Sequence, residues 1–320
     1  MPLVSVCMQT WNSERFIGEA IESVLGQDFE DLELIIVDGA STDKTKEIIE
    51  RYARQDLRIR AIFHERNLGS AKACNDGIES AKGEFIAQID SDDVWLPDKL
   101  TKQLAILERD EDLVVWSEGE IIDDAGHSTG RTYSQRIENN VYYSAKKSGH
   151  LWPELLQSNF IFHSSVIYKK GNLGNVRYDE ALVALIDFKF LLELAGKYEF
   201  YYIAEPLAKY RIHGGNTFVS SSSEALRRQR LANKEYILMA EDALQQHRNE
   251  LTRKTQAVVY GRIGLQYYNA GEMKKSLSFF SRAFICNPFE RRNLRCLEKA
   301  FRRVLRESAY AMSLKERPTP

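Results

Sequence analysis

Apolar runs that each stop at a polar residue, separated by segments of helical period, fill the N-terminal third of the chain. This alternation restricts the fold more than any other feature. Leu3 to Met8 is nearly all apolar, as suits a strand buried on both faces of a parallel sheet, and it ends in Gln9, Thr10, Trp11 and Asn12. A helix over Glu14 to Gln27 follows, with Ser13 as its N-cap and Phe16, Ile17, Ala20, Ile21, Val24 and Leu25 on one face. Leu32 to Val37 runs into Asp38, and Ser41 or Thr42 is placed to cap a helix reaching Gln55. Arg58 to Phe63 ends at His64 to Asn67, and the next helix, Gly69 to Lys82, is closed by Gly83 as its C′ residue. Strand and helix in alternation make an α/β fold with a parallel sheet, and such sheets bind ligands beyond the carboxyl ends of their strands.

The fourth apolar run, Phe85 to Ile89, breaks into Asp90, Ser91, Asp92 and Asp93. Asp is a poor strand former and costly to bury, so packing alone does not account for the cluster. Two readings stand. One is a turn capping the helix that starts near Pro97. The other is a site for a divalent cation, Mn²⁺ or Mg²⁺, which needs only one or two carboxylates when it is shared with substrate phosphates. The strand tips carry Thr10 and Asn12, then Asp38, Asn67, and Asp90 with Asp92, and that recurrence favours a nucleotide or another phosphorylated ligand. No G-x-G-x-x-G follows the first strand and no P-loop signature occurs.

Farther along, Lys99 to Arg109 reads as a helix, and Leu113 to Ser117 with Glu120 to Ile122 leads through DDAGHSTG into a hairpin. Arg131 to His150 has no period. Leu151 to Gln157 is a short helix, Ser165 to Tyr168 a strand, and Ala184 to Ala195 a helix with Asp187 in its first turn. Phe200 to Ile203 and Ala208 to Ile212 are strands leading to HGGNTF. From residue 220 the pattern is helical only, which divides the chain into an α/β domain over 1–219 and a helical region over 220–320. Ser220 to Ser223 is a polar linker before a helix from Glu224 to His247. Ala257 to Pro288 has spacings that resemble a single tetratricopeptide repeat; one repeat is too little for a solenoid, and a plain helical hairpin packed on the first domain is the simpler reading. In the last helix, Glu290 to Ser308, arginines and lysines interleave with Leu294, Leu297, Phe301, Val304 and Leu305. That helix presents either a solvated basic face or one that meets anionic lipid.

A formal charge of −2 speaks against a global nucleic-acid-binding role. Cys7, Cys74, Cys286 and Cys296 show no C-x-x-C spacing and read as free thiols of a reducing compartment. With no leading charged-then-apolar segment and no run of about 18 apolar residues, the expected location is cytoplasmic, with peripheral contact at the inner face of the cell membrane.

Taken together these motifs resemble those of the family 2 glycosyltransferases of the GT-A, Rossmann-like, fold. Gln9-Thr10-Trp11-Asn12 is similar to the family's P-T-Y-N and VDGASTDKT at Val37 to Thr45 to its V-D-D-G-S-T-D-x-T. Asn67 to Gly77 matches N-x-G-x-x-x-A-x-N-x-G, and Asp90 to Leu100 matches D-S-D-D-x-W-x-P-x-K-L. YDEALVALIDFKFLLELA at Tyr178 to Ala195 and YRIHGGNT at Tyr210 to Thr217 resemble the family's later motifs. The resemblance implies an inverting transferase that moves a sugar from a nucleotide-diphosphate donor, usually a UDP-sugar, to a hydroxyl of a saccharide or lipid-linked acceptor. By the same resemblance Asp38 accepts from the base, Thr10 and Asn12 frame its pocket, and Asn67 lies in the donor-site loop. Asp90 meets the ribose and metal shell, Asp92 binds the metal, His213 completes the metal or diphosphate site, and Asp187 is the base. Read from the residues alone, His213 could bond a backbone group in a turn, and Asp187 could be a stabilising first-turn Asp; as a base it must be ionised, and the same helix terminus is expected to keep its pKa low enough.

The departures are Gly39 where the family has a second Asp, Cys74 where it often has Arg, Ile186 before Asp187, and Lys189 where another Asp is common. Two other classes compete. Asp90 to Val94 also reads as the D-x-D-x-[TV] of a haloacid-dehalogenase-like phosphohydrolase, with Asp90 as nucleophile. The changes at Gly39 and Ile186 also suit a non-catalytic sugar-nucleotide-binding scaffold.

Overall fold

The structure is a computed structural model describing residues 2–137, 146–216 and 223–315. Four parallel strands, β1 (Val4–Thr10), β2 (Leu32–Asp38), β3 (Ile59–Phe63) and β4 (Phe85–Asp90), alternate with α1 (Ile17–Leu25), α2 (Thr45–Gln55) and α3 (Ser70–Ser80). Val4, Val6 and Met8 of β1 join Ile17, Ala20, Ile21 and Val24 of α1 in one core layer. On the opposite face Cys7 and Val37 lie against Gly77 of α3, where a Cβ would sit 3.5 Å from that of Cys7. Both faces are therefore covered, and each fully buried aliphatic side chain contributes about 1.5–3 kcal/mol.

Beyond β4 the chain adds β5 (Val94–Trp95), α4 (Lys99–Leu107), β6 (Val114–Ile122), β7 (Ser128–Thr132), α5 (Tyr133–Ile137), α6 (Trp152–Gln157), β8 (Ile167–Lys169), α7 (Ile186–Ala195) and β9 (Phe200–Arg211). The sheet order among the described residues is β3-β2-β1-β4-β8-β6-β9-β5, with β7 on β6. β8 is antiparallel to β4 and to β6, whereas β6 and β9 are parallel. β6 is one strand, and so is β9, each where two shorter strands were expected. Register shifts around Ser117 and Glu118 absorb the irregularity that interrupts their apolar pattern. β5 is too short to leave a periodic signal.

Several local expectations give way. Ser13 does not cap α1, which begins at Ile17. The Ser13 carbonyl accepts from Phe16 and Ile17 N–H, while its hydroxyl meets Ser91 Oγ at 2.9 Å. Ser41 and Thr42 do not cap α2, whose N-cap is Lys44 without a side-chain bond. Gly83 is not a left-handed C′ residue, because α3 has already ended in the extended Ala81. It is glycine for closeness: an added Cβ would lie 2.6 Å from Ser5 N on β1. In the aperiodic region the end of β7 and α5 precede residues 138–145, which lie outside the described residues. The buried Glu118 carboxylate accepts from Ser134 N at 3.0 Å and Tyr202 Oη at 2.8 Å, and so anchors α5 to the sheet.

The chain forms two compact units, 1–229 and 230–320, dividing inside α8 (Ser223–His247) rather than at the composition change at 219/220. The linker expected at Ser220 to Ser223 lies outside the described residues except for Ser223, which opens α8. In the second unit α9 (Arg253–Asn269) and α10 (Met273–Cys286) form a hairpin, followed by α11 (Arg291–Lys315). Gly264 of α9 takes the ring of Phe280, which a Cβ would approach to 2.8 Å, and Ser276 Oγ donates to Gly264 O at 2.8 Å. Among the described residues no helix is long and apolar enough to cross a membrane.

Candidate active site

Strand register collects the first site residues. Thr10 is paired with Asp38 across β1 and β2, and Gln9 with Asp90 across β1 and β4, so the three tips share one sheet edge. Thr10 is buried, and its Oγ1 has no hydrogen-bond partner among the described residues. Such an orphan costs about 1–3 kcal/mol unless a ligand satisfies it. Asn12 takes a left-handed φ of 52°, and its Oδ1 accepts from Thr42 N at 2.8 Å. The Asp38 carboxylate accepts from Ser41 N at 3.1 Å and Ser41 Oγ at 2.5 Å. Both side chains thus build the 38–42 turn, and the carboxylate keeps lone pairs for a further donor. Asn67 is exposed, and its Oδ1 accepts from Gly69 N at 2.9 Å, shaping the entry to α3.

The acidic residues after β4 divide by direction. Asp90 accepts from Gln9 Nε2 at 2.5 Å and lies 3.3 Å from His163 Nδ1. Burial works to raise its pKa, but the charge and hydrogen bond of His163, helped by Gln9, hold it below the usual carboxylate value. Asp92 faces His213, with Oδ2 and Nε2 at 2.9 Å. Asp93 turns inward, accepting from Ser164 Oγ at 2.5 Å and Arg211 N at 3.0 Å. Burial, then repulsion from Asp92 and Asp90, drives its pKa well up. None of the three caps α4, whose N-cap is Asp98, itself without a side-chain capping bond and paired with Lys102 at 2.6 Å, so the capping reading fails.

The two ring nitrogens of His213 face different partners. Nδ1 accepts from Gly215 N at 3.1 Å within the turn. Nε2 must then carry the proton and donate to Asp92. Beneath this pair lies the buried Arg211, whose Nε donates to Asp92 O at 3.0 Å, Nη1 to Asp123 O at 3.4 Å and Nη2 to Glu19 Oε2 at 2.5 Å. One guanidinium fixes the backbone of the acidic loop to α1 and to the β6–β7 turn.

Asp187 opens α7, half-buried, and accepts from Asn159 Nδ2 at 3.2 Å. Its expected low pKa is not found: burial raises it, against the opposing influences of the His163 charge and the Phe188 N–H. The loop before it is clamped by Asn75 of α3, whose Oδ1 accepts from Tyr178 N and whose Nδ2 donates to Tyr178 O, both at 2.9 Å. The Tyr178 hydroxyl in turn meets His163 Nε2 at 2.8 Å. His163 thus touches Asp90 and senses the charge of Asp187, and its pKa stays above the ordinary value despite the opposing effect of burial. Lys189 points along its own helix to Glu193 at 2.7 Å. The Cys74 thiol, where the family often has Arg, is buried, and burial drives its pKa well up; burial likewise lifts that of Cys7 to about 12.

Sequence reasoning assigned no role to Gln9, Asn159, His163, Ser164, Tyr178 or Arg211. The trace it passed over was His163-Ser164-Ser165 inside the apolar stretch Phe160 to Tyr168, a polar triplet where core was due.

A sheet of this order, with carboxylates at the carboxyl ends of β2 and β4 and a helical extension following it in the chain, is the Rossmann-like GT-A architecture of nucleotide-sugar transferases. The chain belongs to glycosyl transferase family 2, whose pattern it matches over residues 5–169. It is 34% identical over 227 residues to an uncharacterized glycosyltransferase of Methanocaldococcus jannaschii, covering 68% of this chain and 74% of that protein. Two solved structures share its fold. S. aureus TarS 1-349 in complex with UDP-GlcNAc has a TM-score of 0.58 at 17% identity, covering 98% of this chain and 92% of that one. The mannosyltransferase PcManGT from Pyrobaculum calidifontis, in complex with GDP-Man and Mn²⁺, has a TM-score of 0.58 at 16% identity, covering 97% and 81%. The protein is therefore a transferase, and the phosphohydrolase reading of Asp90 falls.

Proposed function

We propose that the chain transfers a sugar, with inversion, from a nucleotide-diphosphate donor to a hydroxyl of a saccharide or lipid-linked acceptor. The observation that carries this reading is the pairing of two environments around His163: a carboxylate held ionised at Asp90 and one with a raised pKa at Asp187. The first suits polar recognition of a donor, the second a general base. UDP- and GDP-linked ligands in the two structural neighbours support a nucleotide-sugar donor, with a UDP-sugar the first to try.

On the donor side, the orphan Thr10 hydroxyl and Asp38 receive the base, with Asn12 and Asn67 shaping the loops around it. Asp90 meets the ribose. A divalent cation, Mn²⁺ or Mg²⁺, fits beside Asp92, whose partly exposed carboxylate offers hard oxygen donors and leaves the remaining ligands to phosphates and water. His213 fits less simply as a ligand: Nε2 would first have to lose its proton, at the expense of the Gly215–Nδ1 bond. It serves more directly by donating to the diphosphate or steadying Asp92. When bound, the cation supplies Lewis-acid stabilisation of the departing diphosphate. Asp187 accepts the acceptor hydroxyl's proton as that oxygen bonds to the anomeric carbon on the face opposite the diphosphate oxygen whose bond breaks, and the attack inverts the anomeric centre. Asn159 holds the carboxylate for that task. We place the enzyme at the inner face of the cell membrane, with the helical region as its contact.

Hydrolysis of UDP-, dTDP- and GDP-linked sugars, screened with Mn²⁺ and with Mg²⁺, tests the reading. At least one donor should turn over, and Asp92→Asn should abolish it. A chain that binds one of them but hydrolyses none would be the sugar-nucleotide-binding scaffold instead.

A further inference from the structure

Large apolar side chains stand exposed along the last two helices and between them. Phe289, between α10 and α11, is 94% exposed; Ile285, in the last turn of α10, is 72% exposed; Leu294 and Phe301 of α11 are each 51% exposed. Leu294 and Phe301 are seven residues apart and so share a face of α11. Arg291, Arg295 and Arg302 lie beside them, all exposed, while Ala300 is buried about a third of a turn around the helix. The acid on this face, Glu298, is taken up by Arg302 at 2.5 Å. Leu294 and Phe301 thus form an apolar ridge with arginines beside it, and Ile285 and Phe289 stand exposed in the chain just before it.

We propose that this ridge, together with Ile285 and Phe289, docks on an anionic lipid bilayer, the apolar side chains entering the headgroup boundary and the arginines meeting lipid phosphates. The proposal deepens the membrane contact proposed above and rests on that reading. Charge complementarity selects the occupant. A second copy of the same face would bring like charges together, and a soluble polyanion would satisfy the arginines but leave Phe289 in water. A bilayer with anionic headgroups uses both features.

The test uses the full chain with vesicles of phosphatidylcholine, with and without phosphatidylglycerol. The emission of the Phe289→Trp variant should shift to the blue with the anionic vesicles alone. Phe289→Ser with Leu294→Ser should weaken sedimentation with those vesicles by about tenfold or more, and Arg295→Gln with Arg302→Gln by a similar factor. These side chains are exposed, so folding should be preserved, and donor hydrolysis without vesicles should match the parent chain. Unchanged sedimentation of the variants overturns the proposal. Loss only in the arginine variants assigns the face to a polyanion, and vesicle-independent self-association abolished by Phe289→Ser assigns it to a second copy; either result also overturns it. Because hydrolysis is read in solution, failure of the docking surface and failure of the transferase reading are separable.

Discussion

In the parallel half of the sheet, β3-β2-β1-β4, each site residue arrives on its own strand tip and register alone aligns it with the next, as Thr10 with Asp38. In the half that continues through β8, β6, β9 and β5, the site residues stand on loops and helix starts that single side chains tie down. Asn75 holds the Tyr178 loop, and Asn159 holds Asp187. The first half is built by repetition and the second by particular long-range bonds. A donor common to many transferases suits the first arrangement, and an acceptor that differs among them suits the second.

The largest effect that can test this division is on turnover. Asp187→Asn should lower kcat by about 100-fold or more while leaving donor affinity unchanged, since it touches only the acceptor half. Turnover with a competent acceptor and nucleotide binding are the two measurements; a parallel fall in both would erase the division. Unchanged turnover would pass the role of base to Asp179 or Glu180.

A pH profile sharpens the same point. A base must be ionised, so kcat should fall as pH falls through the raised Asp187 pKa, with an acid limb displaced upward from that of an ordinary Asp near 3.9. The linkage runs the other way for stability. A carboxyl whose folded pKa is raised favours the folded state below its ordinary pKa, and that contribution is lost as pH rises through the folded value. Asp187→Asn, which can still accept from Asn159, should therefore raise Tm at neutral pH and leave it little changed in acid.

A third variant addresses the parallel half. Gly83→Ala would push a methyl against the β1 backbone at Ser5 and should cost about 1–3 kcal/mol by chemical denaturation, without moving the pH profile. A shift in the profile would mean that the two halves are coupled.

The same difference governs what can be read from the chain without its structure. β1 to β4, their helices and the carboxylates at their tips follow from local period and strand chemistry. Asp90 and Asp92 were legible because three acids interrupt an apolar run, but that Asp93 turns inward depends on Ser164 and on the backbone of Arg211, far along the chain. His163 escaped notice because its partners, Asp90 and Tyr178, are distant in sequence. The Asp187 pKa was misjudged because a helix terminus is a local feature, whereas the burial that outweighs it is not. Gly83 was read as a helix stop because its closeness to Ser5 leaves no mark nearby.

The central claim is that Asp92 serves the donor with a divalent cation while Asp187 does not. Calorimetry of UDP with and without Mn²⁺, on the parent chain, Asp92→Asn and Asp187→Asn, tests it most directly. The account predicts metal-dependent binding that Asp92→Asn weakens by about tenfold or more, the equivalent of one charge-assisted contact, and that Asp187→Asn leaves intact. Equal affinity with and without the metal, or equal losses in the two variants, would contradict it.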